Sequence, residues 1–127
     1  MIKHYRYRLR FYLNASHAMR WQNQLGERHP HTWELTCEVK KADHDAFIRF
    51  NDIEDQIRQV LDPLQGVFLN EIAPFDKENP SLENLGEYFF DQINQHLAAV
   101  KCSLTRLEMG ESPTRFFLIK AEDEAAK

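Results

Sequence analysis

The organisation of this 127-residue chain is decided by one stretch, which reads Leu13-Asn14-Ala15-Ser16-His17, then a polar loop, then His29-Pro30-His31. Side chains alternate between the two faces of a strand, so His29 and His31 point the same way and can converge on one ion. A neighbouring antiparallel strand can carry His17 to the same place. Zinc takes three imidazoles in some catalytic sites and leaves a fourth position open. The stretch predicts a three-histidine metal site, and the competing interpretation is ordinary histidines on a half-exposed strand.

Alternating strands flank this loop on both sides. Residues 5–13 alternate aromatic or apolar side chains with arginines, and residues 31–40 repeat the pattern with Trp33, Leu35, Cys37 and Val39 on one face. A period of two is typical of half-buried strands. Two long strands close in sequence favour an antiparallel pair. Residues 19–28 between them are polar and contain Gly26, so we expect a loop there.

Two helices are predicted after the second strand. Asn51 and Glu54 resemble a capping box ahead of an apolar stripe at helical spacing, and Ser81 is expected to cap a second helix with a similar stripe. Residues 104–109 and 115–120 read as two more strands. The order strand, strand, helix, helix, strand, strand predicts an α+β fold, an antiparallel four-stranded sheet with two helices on one face. We expect one domain over residues 1–120 and an acidic C-terminal tail over 121–127.

Composition narrows the class of protein. With 43% hydrophobic and 28% charged residues the chain is typical of soluble globular domains, and a net charge of -4 argues against a general nucleic-acid binder. No apolar run approaches the roughly 20 residues that span a bilayer, and the N-terminus lacks a signal-peptide apolar region. These features predict a cytoplasmic protein with no membrane partner. Cys37 and Cys102 are expected to be reduced, buried thiols.

Five ordered motifs resemble the 6-pyruvoyltetrahydropterin synthase family, which includes the bacterial 6-carboxytetrahydropterin synthases. Together they extend over nearly the whole chain. The motifs are Leu13-Asn14-Ala15-Ser16-His17, His29-Pro30-His31, Phe68-Leu69-Asn70-Glu71, the segment Glu-Asn-Pro-Ser-Leu-Glu-Asn-Leu at 78–85, and Gly110-Glu111-Ser112-Pro113-Thr114.

This resemblance implies a tunnelling fold, in which subunits join their sheets into an oligomeric barrel and trimers stack into a homo-oligomeric hexamer. It implies zinc bound by His17, His29 and His31. It also implies a lyase acting on a pterin of the dihydroneopterin triphosphate type, in a queuosine- or folate-related pathway. Glu111 would anchor the pterin, because a carboxylate can accept two parallel hydrogen bonds from the 2-amino group and the adjacent ring N–H. From local sequence alone, Glu111 reads as a solvated turn residue.

The acid–base residues of the family are not recognisable in this chain. Leu25 stands at the position of the family's cysteine, and Gln65 and Gly66 stand at its Asp-His pair, although Asp62 three residues earlier also keeps a Leu-Asp start. Glu27, two residues before His29, is the remaining candidate for a catalytic base, against the alternative of an exposed loop residue. Three functions therefore stay open: a zinc-dependent pterin lyase, a catalytically degenerate pterin-binding or regulatory paralogue, and a structural oligomer whose histidines stabilise a subunit contact.

Overall fold

The computed structural model describes residues 1–122, so most of the predicted acidic tail, residues 123–127, lies outside the described residues. The strands are β1 (Tyr7–His17), β2 (Arg20–Trp21), β3 (Gln24–Leu25), β4 (His29–Lys41), β5 (Cys102–Ser112) and β6 (Arg115–Lys120), and the helices are α1 (Phe50–Leu61) and α2 (Leu82–Leu97). The main element is a four-stranded antiparallel sheet in the order β1-β4-β5-β6. The predicted α+β arrangement is confirmed.

The core lies between the sheet and the two helices. Alternate residues of β1 are buried, and the apolar stripes of α1 and α2 pack against the same cluster, which confirms that both helices cover one face. The opposite face carries ion pairs between neighbouring strands, with Arg10 Nε 2.8 Å from Glu34 Oε1 and Arg106 Nη1 2.7 Å from Glu38 Oε2. None of the helices in residues 1–122 is both long and apolar enough to cross a membrane.

The two helices begin in different ways. Ser81 caps α2 as predicted, since its side chain accepts a hydrogen bond from the Asn84 backbone N–H. The capping box predicted for α1 is wrong, because that helix already begins at Phe50 and its N-cap residue, Arg49, makes no side-chain cap. The Arg49 guanidinium instead bonds both carboxylate oxygens of Asp52, at 3.1 and 2.8 Å.

The polar segment between β1 and β4 is more ordered than a simple loop. It contains a two-stranded hairpin, β2 and β3, whose turn residues Gln22 and Asn23 have φ values of 50° and 64°. Two positive φ values suit the tight turns that connect twisted strands. Gly26 then donates its backbone N–H to Met19 O at 2.7 Å, and a Cβ at Gly26 would lie 2.8 Å from that same oxygen. The hairpin therefore returns the chain to Met19, two residues after the end of β1, just before His29.

Candidate functional site

The pairing of β1 with β4 brings the three predicted histidines together. His17 lies directly opposite His29, and His31 lies opposite Ala15, so all three side chains share the face that the helices cover. The ring centroids of His17 and His29 are 4.5 Å apart, and those of His17 and His31 are 6.0 Å apart. This group is called the histidine cluster below.

A buried tryptophan forms the floor of the histidine cluster. Trp33 is fully buried, and its ring centroid lies 4.9 Å from that of His17 and 4.7 Å from that of His31, both edge-on. His17 is itself buried, whereas His29 is exposed. The cluster therefore has an apolar base and an open side toward the loop that precedes β4.

Hydrogen bonds fix which nitrogen of two rings keeps its lone pair. The Nδ1 of His17 lies 3.0 Å from Pro80 O, and the Nδ1 of His29 lies 3.3 Å from Glu27 O. A carbonyl oxygen can only accept, so each Nδ1 carries the proton and each neutral ring keeps its Nε2 lone pair. The Nε2 of His31 is buried and has no hydrogen-bond partner among residues 1–122. Buried polar atoms without partners are rare and need an explanation.

The electrostatics of the cluster favour a neutral His17. Burial lowers the pKa of His17 below its usual value, and the neighbouring His29 and His31 lower that pKa further. The hydrogen bond to Pro80 and the charge of Glu111 act in the opposite direction but do not outweigh burial. Because imidazole must be deprotonated to bind a metal, this environment keeps His17 in the form that a ligand needs.

Glu111 lies on β5, which pairs with β4, and its negative charge raises the pKa of His17. It is half-buried and follows Gly110, which pairs with Glu34 across β4 and β5. A Cβ at Gly110 would lie 2.9 Å from the ring of Phe116, so that packing requires glycine. The pairing of β5 with β6 is irregular between Gly110 and Ser112, which sets Glu111 apart from the regular ladder.

Side-chain amides hold the end of β1 in place, and sequence reasoning assigned them no role. The Asn70 side chain accepts from Ala18 N at 2.9 Å and donates to Ala18 O at 2.7 Å. Asn79 makes the same pair of bonds to the backbone of Arg20, at 2.7 and 3.2 Å. These amides make the backbone hydrogen bonds that a neighbouring strand would otherwise make. Both asparagines lie in motifs that carry the family resemblance, and this was the one feature of the sequence that could have indicated a role for them.

The residues aligned with the family's acid–base groups are engaged elsewhere. Leu25 is exposed on β3. The Gln65 side chain accepts from Asn14 N at 2.8 Å and donates to Tyr12 O at 2.9 Å, and Gly66 N donates to Asn14 O at 2.6 Å. Gln65 and Gly66 therefore bond to the edge of β1 that faces away from β4.

Glu27 and Arg28 precede the histidines in the same loop. Glu27 is exposed, and the contact it makes with the cluster is through its carbonyl oxygen, which accepts from His29. Arg28 was not predicted to take part in the site. Its Nε donates to Ser16 Oγ at 3.0 Å, and its guanidinium carbon lies 4.4 Å from the Phe68 ring centroid. These two contacts hold a cation next to the cluster.

The rings as they stand do not form a finished metal site. In residues 1–122 no group of three or more histidine, cysteine, aspartate or glutamate side chains is arranged to hold a metal ion. The three rings are neighbours with differing planes, the His17 ring lying at 68° to His29 and 42° to His31. The structure therefore brings the three histidines close together without the arrangement that holds a metal ion.

Comparisons with known proteins agree with this fold. The chain shares it with a 6-pyruvoyl tetrahydropterin synthase of Caenorhabditis elegans, at a TM-score of 0.77 and 14% identity over 93% of this chain and 96% of that one. A Plasmodium vivax 6-pyruvoyltetrahydropterin synthase, described as a catalytic-residue mutant with glutamate replaced by alanine, gives 0.65 and 14% over 94% and 100%. An uncharacterized protein of Wolinella succinogenes gives 0.68 and 11% over 93% and 98%.

Sequence comparison assigns the family. Among curated proteins, none matches this sequence. The family model described as 6-pyruvoyl tetrahydropterin synthase matches residues 6–122, which include the histidine cluster, Asn70, Asn79 and Glu111. The chain therefore belongs to the 6-pyruvoyl tetrahydropterin synthase family.

Proposed function

We propose that this protein is a zinc-dependent enzyme like the 6-pyruvoyl- and 6-carboxytetrahydropterin synthases. In this proposal it binds a reduced pterin of the dihydroneopterin triphosphate type and eliminates or cleaves its side chain. The observation that carries the proposal is the buried Nε2 of His31. This nitrogen has no partner in the described chain, and the His31 ring lies 6.0 Å from the ring of His17, which keeps an Nε2 lone pair as His29 does.

The residues present fit a zinc ion. His17, His29 and His31 would hold it, since three imidazoles with a fourth position open form a typical catalytic zinc site. The carbonyl oxygens of Pro80 and Glu27 would orient the rings of His17 and His29 by accepting a hydrogen bond from each Nδ1. We expect the exposed His29 ring to be the one that rotates to complete the set. Bound zinc supplies a Lewis acid that polarises an oxygen of the substrate.

Glu111 is proposed to orient the pterin. Its carboxylate is half-buried and lies near His17, so a ligand bound to it would also lie against the histidine cluster. Two parallel hydrogen bonds from a 2-amino group and a ring N–H match the two oxygens of a carboxylate. This pairing would fix the ring plane and present the side chain of the pterin to the histidines.

Glu27 is proposed as the group that moves protons at the substrate side chain. It lies in the loop that leads into His29, and its backbone is held there by the His29 ring. A catalytic glutamate is described for the Plasmodium vivax relative with the same fold. A carboxylate in that loop needs only to reach hydrogen-bond distance of the substrate to act as a base.

A second function is favoured by the residues aligned with the usual acid–base groups. Leu25 cannot accept a proton, and Gln65 uses both ends of its amide on the β1 backbone. General acid–base catalysis contributes about 10²–10⁴-fold, so its loss would leave a binding protein with little turnover. The alternative is therefore a pterin-binding or regulatory paralogue that keeps the histidine cluster and Glu111.

Turnover separates the two functions. We would incubate zinc-loaded protein with dihydroneopterin triphosphate and separate all pterin products by chromatography. A pyruvoyl-type or side-chain-cleaved product that disappears in Glu27→Gln supports the enzyme, with Glu87→Gln on the exposed face of α2 as the matched control. Bound zinc and bound pterin without product support the paralogue. Absence of both zinc and pterin binding would contradict the proposed site itself.

We also propose a homo-oligomer in the cytoplasm, assembled as a hexamer from two trimers. Two features support this assembly: β6 is an edge strand of the described sheet, and Phe116 and Leu118 on it are 49% and 44% exposed. The two free, buried cysteines support a reducing compartment.

A further inference from the structure

A second concave site lies at the other end of the sheet from the histidine cluster. It is a cavity of about 430 Å³ formed where the segment before β1 meets the end of β4. Its lining consists of Lys3, His4, Tyr5, Arg6, Tyr7, Lys40, Lys41 and His44. Tyr7 and His17 are the two ends of β1, so this basic cavity and the histidine cluster are separated by roughly 33 Å at about 3.3 Å per residue.

The basic cavity is lined by positive charge, whereas the protein as a whole carries a net negative charge. Four of the 16 lysines and arginines line it, together with two histidines, in a chain whose net charge is -4. Within residues 1–122 none of these four cations has a carboxylate within 4 Å, although four other arginines do. The nearby Asp43 binds the Asp45 backbone N–H, and neither residue lines the cavity. Such unpaired positive charge in a concave site attracts anions.

Two of the cations are held in position by the fold. Arg6 donates from Nε to Thr105 Oγ1 at 3.1 Å and from Nη1 to Tyr5 O at 2.8 Å, which leaves its Nη2 for a ligand. Lys41 donates to Ala46 O at 2.6 Å and lies 5.8 Å from the Tyr7 ring centroid. Fixed donors lower the entropy cost of binding, because less side-chain freedom is lost.

The remaining residues determine what size of anion fits. Lys3 and Lys40 are exposed and make no side-chain hydrogen bond or ion pair in the described chain, so both ammonium groups can turn toward a ligand. Tyr5 and His44 stack with ring centroids 4.4 Å apart and form an aromatic wall. Four cations exceed what one phosphate group needs, and the volume lies within the range of about 300–1,000 Å³ usual for small-ligand sites.

We propose that the basic cavity binds a small oligophosphate, a di- or triphosphate group, at a site separate from the histidine cluster. The proposal does not depend on the metal or on catalysis. The shared chemistry is the phosphate chain, which either inorganic triphosphate or a nucleotide could supply. A nucleotide would additionally place its base against the Tyr5–His44 wall.

The test is calorimetric titration of the full chain with sodium triphosphate at low ionic strength. We expect one site per chain, with Lys40→Gln weakening affinity by about tenfold, as for loss of one charge-assisted hydrogen bond. Lys77→Gln removes the same charge from an exposed turn elsewhere and should change affinity less than about twofold. Equal effects of the two substitutions would overturn the proposal, because triphosphate would then be responding to net charge alone.

Two further arms complete the test. His31→Ala should keep full triphosphate affinity, and loss of binding in that variant would place the anion at the histidine cluster and overturn the proposal. Titration with ATP identifies the source of the phosphate chain. Tighter binding of ATP than of triphosphate that is removed by Tyr5→Leu indicates a nucleotide, and equal affinities indicate recognition of the phosphates alone. In every variant an unchanged thermal transition confirms folding.

Discussion

The histidines of the cluster differ in whether their ring nitrogens have hydrogen-bond partners in the described chain. His17 has its Nδ1 bonded to Pro80 O and its pKa lowered by burial, whereas the buried Nε2 of His31 has no protein partner in residues 1–122. A buried nitrogen left in this way costs about 1–3 kcal/mol unless something else bonds to it. That cost is the physical reason to expect a ligand at the cluster.

Removing His31 should abolish metal binding. We expect one zinc per chain in the parent protein and more than about 100-fold weaker zinc binding in His31→Ala. Loss of an outer-shell partner alone typically costs about 10–100-fold, and loss of a ligand costs more. Competition with a chelating dye measures both. His96→Ala, whose ring bonds Gln92 O on α2, is the matched control. Unchanged zinc affinity in His31→Ala would show that the cluster is not the metal site.

The buried thiol of Cys37 should make stability depend on alkaline pH. Burial raises the pKa of Cys37 to about 12 from 9.0. The folded state therefore holds a proton that the unfolded state releases above pH 9. The resulting stabilisation is complete below pH 9 and is lost as the pH rises toward 12.

This effect is measurable by denaturant titration between pH 9 and pH 10.5. We expect the free energy of unfolding to fall more steeply in the parent than in Cys37→Ala, by up to about 1.4 kcal/mol per pH unit. Comparison with the variant removes the contributions of tyrosines and lysines that ionise in the same range. Parallel pH curves for the two proteins would refute the buried-thiol assignment.

At the scale of elements, the end of β1 depends on amides from other segments. Asn70 →Ala removes two hydrogen bonds and leaves the N–H and C=O of Ala18 without partners. We expect it to lower the free energy of unfolding by about 2–4 kcal/mol. Asn51→Ala, on the exposed start of α1, should cost less than about 0.5 kcal/mol. Urea titration of both variants checks the difference, and similar losses would mean that Asn70 does not support the strand.

The sequence predicted those elements whose pattern is local. The period of two in β1 and β4 and the spacing of His29 and His31 are properties of neighbouring residues, so the strands and the convergence of the histidines could be foreseen. The hairpin of β2 and β3 could not, because Gln22 and Asn23 adopt positive φ within a polar segment that has no alternation. The capping box at Asn51 was wrong because the N-cap residue is Arg49, two residues earlier, and Arg49 forms an ion pair with Asp52 in the first turn.

The sequence predicted which histidines the structure brings together, and it missed the residues that support them. The three side chains of His17, His29 and His31 share one face because of the strand register, and the alternating sequence pattern predicts that register. Asn70 and Gln65 bond backbone atoms about 50 residues away, and nothing in their own segments indicates which strand they meet. Arg28 likewise depends on where Phe68 packs.

For the whole molecule, the exposed apolar residues of β6 predict assembly. We expect light scattering to give a mass about six times the 15.1 kDa of the chain. Leu118→Glu should reduce that mass, because it places a charge among apolar side chains at a sheet edge. Gln59→Glu on the exposed face of α1 is the control. A monomeric parent protein would contradict the proposed assembly.

The fluorescence of Trp33, beneath the histidine cluster, can report whether a metal ion is bound there. The chain has two tryptophans, and the other, Trp21, is 75% exposed on the β2–β3 hairpin. In a Trp21→Phe variant all indole emission would come from Trp33, whose ring touches both His17 and His31. A paramagnetic ion such as Cu²⁺ or Co²⁺ bound by those rings would be separated from the indole by one imidazole and should quench that emission, so occupancy of the cluster can be followed by fluorescence without any added label.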